Sequence, residues 1–470
     1  MFLGLDATIL ARIQFAFTVT FHIIFPAFTI GLASYIATLE AIWYFGDDDR
    51  YHRLARFWTK IFAVSFGMGV VSGLPMSYQF GTNWSKFSVA AGNVLGPLLG
   101  YEVLTAFFLE ASFLGIMLFG WNRVPKGLHF FASLMVAFGT LLSAFWILAA
   151  NSWMQYPAGH EMKDGLAIPV DWLQVIFSPT FPWRMAHMVT AAYLSTAIVV
   201  LAIGARYRLA DRYPEESRIM VRMGLGLALI LAPLQAFIGD QHGLVTAEYQ
   251  PAKLAAMEAH WDGSKPGDLV LFGIPNETQE RNDYAIGIPN LGSLIITHSW
   301  DGLFKGLKDF KPEDRPPVWG PFFAFRIMVA IGLWLILLAA LGGVLWWRGK
   351  LFESRWFMRA ASLSWPLGFI AVIAGWVTTE MGRQPWVATG IIRTAEAASP
   401  LEAHTVGASL IMFALVYLAV YSAGIYYMNL LIRKGPIEQA PSGIGEGRAA
   451  QRPISAATGS DSGPNLAEQG

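Results

Sequence analysis

Long apolar runs alternate with short polar connections along almost the whole chain. Nine runs reach the roughly 20 residues that cross a hydrocarbon core at 1.5 Å rise per residue. They lie near 13–43, 58–79, 94–120, 127–150, 185–205, 219–239, 321–347, 360–379 and 404–432. The pattern predicts an all-α, polytopic membrane protein with nine transmembrane helices. Between about Asp240 and Trp319 it changes: Gly, Pro and charged residues are frequent and no spanning run occurs. A connection of that length usually carries function. The chain therefore divides into helices one to six (1–239), a long loop segment (240–319), helices seven to nine (320–435) and a tail (436–470). The tail is rich in Gly, Ser, Ala and Pro and poor in aromatics, a composition that predicts disorder.

Composition agrees. Hydrophobic residues make up 54% of the chain and charged residues 14%, against about a quarter in soluble proteins. The 33 basic and 33 acidic residues leave no basic surplus, which removes nucleic acid as a partner. The absence of Cys excludes disulfides, Fe–S clusters, thiolate-bound metals and heme attachment through a C-x-x-C-H motif. The first apolar run, preceded directly by Arg12, is far longer than the apolar region of a signal peptide and has no A-x-A cleavage site behind it, so it is read as the first helix.

Lys and Arg are unevenly shared between the two sets of connections. One set holds Arg50, Arg53, Arg56 and Lys60; Arg123 and Lys126; Arg206, Arg208, Arg212, Arg218 and Arg222; Arg348, Lys350, Arg355 and Arg359; and Arg433 and Lys434. The other, the long loop aside, holds only Arg12, Lys86, Lys163, Arg184, Arg383 and Arg393. Retention of positive charge inside predicts an outer N-terminus, a cytoplasmic C-terminus and tail, and an outer position for the loop.

Ionisable groups within a spanning helix are costly unless paired or bound, and so mark function. His22 stands alone on the first helix, where it can be a ligand or a helix-packing hydrogen bonder. Glu102 and Glu110 lie eight residues apart on the third, about 80° apart in azimuth and ~12 Å along the axis. A carboxyl in hydrocarbon can take up and release protons, so the two read as stations on one path, or as side chains capped by neighbouring helices. His187, beside Arg184, opens the fifth helix; Arg326 and Met328 open the seventh. A lone Met is usually core filler, yet His plus Met is an axial pair for low-spin heme. The eighth helix ends in Trp376, Glu380, Arg383 and Trp386, which suit iron, a proton or heme propionates, or an interfacial Trp/Arg belt. With the N-terminus outside, His22, Glu102, His187, Met328 and Glu380 all project to the outer half, and only Glu110 lies deeper. The loop opens with Asp240, His242, Lys253 and Glu258, and 250–261 reads as a short amphipathic helix able to cover the bundle.

Six stretches, ARIQFAFTVTFH, GYEVLTAFFLEASFLG, ILAANSWMQYPAG, QPAKLAAMEAHW, FRIM and EMGRQPW, occur in order across residues 1–432. They resemble the signatures of cytochrome bd-type quinol oxidase subunit I. The resemblance implies that His187 and Met328 ligate a low-spin heme b, with Arg326 nearby for its charge, and that Lys253 and Glu258 belong to the quinol site on the outer Q-loop. It implies that His22, Glu102 and Glu380 surround two high-spin hemes, with Trp376 between cofactors and Glu110 on the proton route. The loop looks like that of a short Q-loop member, and its opening leans toward the cyanide-insensitive branch. The oxygen site then holds heme d, or a further heme b in its place, beside a high-spin heme b. Also implied are a second membrane subunit, in some members a very small third one, and a bacterial inner membrane location. The expected activity is quinol oxidation outside and reduction of oxygen to water with cytoplasmic protons, without a pump. A b-heme membrane anchor without oxygen chemistry and a proton-coupled transporter built on Glu102 and Glu110 are the rival readings; too few spanning His occur for a heme–copper oxidase.

Overall fold

The computed structural model describes residues 4–436, so the expected tail lies, from Ile437 onward, outside the described residues. Among the described residues nine helices are long and apolar enough to cross a membrane. The spans are Ala7–Gly46, Asp49–Thr82, Ser85–Phe119, Lys126–Gln155, Phe181–Leu209, Pro214–Tyr249, Trp319–Trp347, Arg355–Met381 and Ala403–Lys434. The fold is helical apart from three two-stranded antiparallel hairpins in the connections.

Most helices extend beyond the apolar runs, the second and third beginning nine residues early at Asp49 and Ser85, and two departures have specific physical reasons. The sixth helix continues to Tyr249, ten residues beyond the expected 239, because hydropathy marks the hydrocarbon edge and not the end of backbone hydrogen bonding. The eighth span is interrupted at Ser364–Pro366, where proline supplies no backbone donor, and resumes at Leu367. At the other termini local chemistry acts as expected. The Asp6 carboxylate accepts the Ile9 N–H at 2.7 Å and starts the first helix, and Asp48 caps the second through Arg50 N–H at 3.0 Å.

The fifth span is the centre of the bundle. Its most apolar window is 78% buried within the chain, against 11% for the ninth and 17% for the third, which face outward. It packs on the first, fourth, sixth and eighth spans. Small residues permit the close approach, as helix association in lipid requires. Gly224 lies against Ala197 and Leu201, and Gly31 against Thr196, whose hydroxyl donates to the Phe28 carbonyl at 3.1 Å.

The 250–318 connection lies at one end of the bundle, called here the loop end; the arginine-rich connections lie at the other. The connection begins with the helix Pro251–Glu258, in which every residue from Lys253 to Glu258 is buried. It is thus inserted into the protein, and the expectation of an amphipathic helix covering the surface is corrected: its Ala255 and Ala256 pack with Trp261, Val270, Leu307 and Phe322. The hairpin of Leu269–Asn276 and Arg281–Ile288 follows.

A Cβ at Gly224 would sit 2.7 Å from the Ala197 carbonyl oxygen, a backbone atom with little freedom to move. Gly224→Val is therefore expected to cost about 1–3 kcal/mol and to lower the thermal unfolding midpoint in detergent. Gly332→Ala, with nothing within 4 Å of the added atom, should leave it unchanged.

Candidate functional site

At the loop end, polar side chains from three spans and the inserted helix meet below the surface. Arg184, in the first turn of the fifth span, is 5% exposed and donates to Asn151 Oδ1 and, at 3.1 Å, to Ser152 Oγ. Glu380 accepts from Asn151 at 3.1 Å, from Gln155 at 3.2 Å and from Arg383. Lys253 donates to Gln155 Oε1 and, at 2.9 Å, to Gln250 Oε1. The network holds three buried cations, Arg184, Lys253 and Arg383, and one carboxylate, Glu380. Buried charges require partners. With Arg184 and Arg383 against Glu380, the set carries net positive charge whether Lys253 is protonated or neutral. Burial, and after it the charge of Arg184, hold the Lys253 ammonium well below the ordinary lysine value. Trp376 lies one turn before Glu380 and packs between the first, fourth and fifth spans, against Ile23, Ala27, Leu148 and Phe181.

The expected iron ligands sit on different helices, His22 on the first span, His187 on the fifth and Met328 on the seventh. His187 is half-buried against the sixth span: Gln235 Nε2 lies 3.1 Å from His187 Nε2, and the His242 ring is 5.4 Å away, edge-on. Gly239 keeps the backbone close, since a Cβ there would be 3.3 Å from His187 Cε1. Met328 lies against the eighth span in the same manner, with a Cβ at Gly375 falling 3.1 Å from its sulfur. His22 meets the second span, its Nδ1 3.0 Å from Ser72 Oγ, with Gly73 beneath the ring.

These residues fit heme. Imidazole and thioether are an axial pair for iron. His187 Nδ1, Trp376 Nε1 and Arg383 Nε are buried without protein partners, and the cation surplus matches anionic propionates.

Glu102 and Glu110 are brought together more closely than their spacing predicts. Residues Glu102–Phe107 form a π-helical turn, which takes up about one extra residue, ~100° of azimuth, and cancels the expected 80° offset. Both carboxylates then meet the fourth span one turn apart. Ser143 donates to Glu102 at 2.8 Å, and Glu110 lies over Gly139, where a Cβ would be 2.5 Å from its Cγ.

Arg326 is committed to the loop. Its guanidinium donates to the Val270 carbonyl (2.7 Å), the Met257 carbonyl (2.7 Å) and Glu258 (3.3 Å), and it stacks 3.5 Å from the centre of the Phe322 ring. Burial lifts the Glu258 carboxyl above its ordinary value, with Arg326 opposing. A cavity of about 250 Å³ beside this helix is lined by Leu254, Glu248 and Phe304 but by neither Lys253 nor Glu258, which turn into the protein.

The neutral partners escaped the sequence reading: Asn151, Gln155, Gln235, Ser143 and the glycines that seat side chains. Two amides a turn apart in the last turns of a span, Asn151 and Gln155, were the signal that could have found the network.

A nine-span helical bundle with imidazole, thioether and carboxylate groups on its spans and a cation-rich buried network at one end has the donor set of a membrane heme protein. Residues 10–436 match the family described as cytochrome bd terminal oxidase subunit I. The chain is 34% identical to cytochrome bd-II ubiquinol oxidase subunit 1 of Escherichia coli (strain K12), over 92% of this chain and 97% of that one. It is 35% identical to cytochrome bd ubiquinol oxidase subunit 1 of Bacillus subtilis (strain 168), over 91% and 94%. A putative cytochrome bd menaquinol oxidase subunit I of the same organism is 29% identical, over 93% and 98%. The solved bd oxidase from Geobacillus thermodenitrificans superposes with a TM-score of 0.84 at 33% identity, covering 92% of this chain and 99% of that one. The chain belongs to the cytochrome bd terminal oxidase subunit I family. It is accordingly a multi-pass protein of the bacterial inner membrane and of respiratory electron transport, and the rival transporter reading falls.

Breaking a buried ion pair by removing one partner costs about 3–5 kcal/mol. Arg326→Gln is therefore expected to release the loop, read as faster proteolytic cleavage within residues 259–318; cleavage at the unaltered rate would show that Arg326 is not the clamp.

Proposed function

We propose that the chain is the heme-bearing catalytic subunit of an oxidase that takes electrons from quinol at the loop end and reduces oxygen to water. The observation that carries this reading is the buried surplus of positive charge joining Lys253 of the loop helix to Arg184, Glu380 and Arg383. Propionate groups supply the missing negative charge. In this reading the N-terminus and the Q-loop segment (240–319) face outward between helices one to six (1–239) and seven to nine (320–435), and the arginine-rich end is cytoplasmic.

His187 and Met328 would hold a low-spin heme b, and His22, Glu102 and Glu380 would surround a high-spin heme b and a heme d, or a further heme b in its place. Groups so held supply one-electron carriers and the iron at which oxygen is reduced. Arg184, Arg383 and Lys253 would neutralise the propionates, and Trp376 would lie between the cofactors. Lys253 and Glu258 hold the quinol hydroxyls, and Glu258 accepts a proton that leaves on the outer side. Arg326 keeps Glu258 and the loop helix in place. Protons for water enter from the arginine-rich side and pass from Glu110 to Glu102 along the fourth span, whose Gly139 and Ser143 leave room for one carboxyl and bind the other. Electrons and protons then arrive from opposite faces, so a proton motive force follows without a pump. The relatives named as ubiquinol and menaquinol oxidases support quinol as the substrate, and their designation as subunit 1 supports a second membrane subunit.

Met328→Leu tests the reading: the low-spin b signal should vanish from the reduced-minus-oxidised spectrum while the high-spin signals stay, and quinol-driven oxygen uptake should fall at least about 10-fold, one unit of log rate being about 1.4 kcal/mol. An unaltered low-spin signal would give that iron another ligand. A proton acceptor works in its ionised form, and burial raises the value of Glu258. The kcat/KM for quinol should therefore climb with pH through a range above that of ordinary carboxylates, and Glu258→Gln should abolish that limb.

A further inference from the structure

The hairpin Leu269–Asn276/Arg281–Ile288 presents a face that nothing among the described residues covers. On one side it is anchored: Val270 is buried with Trp261 and Phe322, and Asn282 binds both Trp261 Nε1 (3.0 Å) and the Ala259 carbonyl (2.9 Å). On the other side Leu271, Phe272, Ile274, Tyr284, Ile286 and Ile288 are 42–83% exposed, with Phe272 and Ile286 directly paired across the strands. Exposed apolar patches of this kind mark an interaction surface.

Two hydrogen bonds fix the height of the hairpin against the seventh span. Arg326 donates to Val270 near the hairpin base, and the Val318 N–H donates to Glu277 at its tip, 2.8 Å away. Arg326 lies seven residues into the helix from Trp319, about 10 Å along the axis. The first strand therefore runs beside the first two turns of a span. Exposed tryptophans bracket that span, Trp319 at 63% and Trp347 at 85%. They are ~42 Å apart along the helix, close to the full thickness of a bilayer with its headgroups, and tryptophan concentrates at that boundary. The hairpin base thus falls at the upper edge of the hydrocarbon and its tip at headgroup level.

The polarity follows the same axis. Charges lie at the tip, in Glu277, Glu280, Arg281 and Asp283, and none occurs in 269–276 or 284–288. At the base the Asp268 carboxylate accepts the Asn290 N–H at 3.1 Å. The seventh span beside it is itself exposed at apolar positions, Ile327, Val329 and Leu333.

We infer that this hairpin is a membrane-embedded element whose exposed face contacts the acyl chains and glycerol region of the adjoining leaflet. The occupant is bilayer lipid. The inference stands on membrane insertion of the seventh span and does not require the quinol assignment.

The chain has no Cys, which makes site-directed spin labelling direct. Phe272→Cys, Ile286→Cys and Gln279→Cys are each labelled in the assembled oxidase, reconstituted in phosphatidylcholine vesicles, with the signal of the unsubstituted complex subtracted. An unaltered heme spectrum certifies the fold of each variant. At 272 and 286, collisional relaxation by oxygen should exceed that by a water-soluble nickel chelate several-fold, and at 279 the order should invert. Chelate-dominated relaxation at all three sites would overturn the inference in favour of a water-exposed hairpin. Shielding of 272 and 286 from both reagents would overturn it in favour of a protein partner.

Discussion

Three cations held below the surface with a single carboxylate are the constraint on which the loop end depends. Arg184, Lys253 and Arg383 come from the fifth span, the inserted loop helix and the segment just past the eighth span, and none could be buried alone. They are bearable together because Asn151, Ser152 and Gln155 of the fourth span, with Glu380, distribute hydrogen bonds among them. The network therefore decides where the loop helix inserts, how the eighth span ends and how closely the fifth span approaches. Its unsatisfied positive charge is also the strongest statement the chain makes about what it binds.

The fourth span links this centre to the acidic residues. Its last turns carry the amides that bind Glu380, Arg184 and Lys253; about two to three turns further in than Asn151, Ser143 and Gly139 receive Glu102 and Glu110. A single uninterrupted helix thereby sets the separation between the cation pocket and the carboxyls. The π-helical turn in the third span is the matching device, since without it the two carboxyls would point in different directions. Arg326 performs a similar office for the loop, tying Met257, Glu258 and Val270 to the seventh span.

Much of this was legible in the sequence because lipid makes charge expensive. Nine apolar runs gave nine spans, and His22, Glu102, Glu110, His187, Met328 and Glu380 stood out as groups a membrane should not contain. The misses have physical causes. Hydropathy reports the edge of the hydrocarbon, so it placed the end of the sixth helix ten residues early. Neutral amides and glycines carry no charge signal, so Asn151, Gln155, Gly139 and Gly375 went unremarked although they position the charged groups. The loop helix, read from its pattern as a surface cover, is buried on both faces because Lys253 and Glu258 find their partners inside. The π turn has no signature in the residue types at all, and only the contacts of Glu102 and Glu110 reveal it.

The central claim is that the cation-rich pocket holds heme that quinol can reduce. The most direct measurement is the optical difference spectrum of the purified, air-oxidised oxidase after anaerobic addition of quinol alone. Appearance of heme α-bands, including a low-spin b component, is the predicted result. Failure of quinol to elicit any heme band, in protein that dithionite does reduce or that contains no heme, would contradict it.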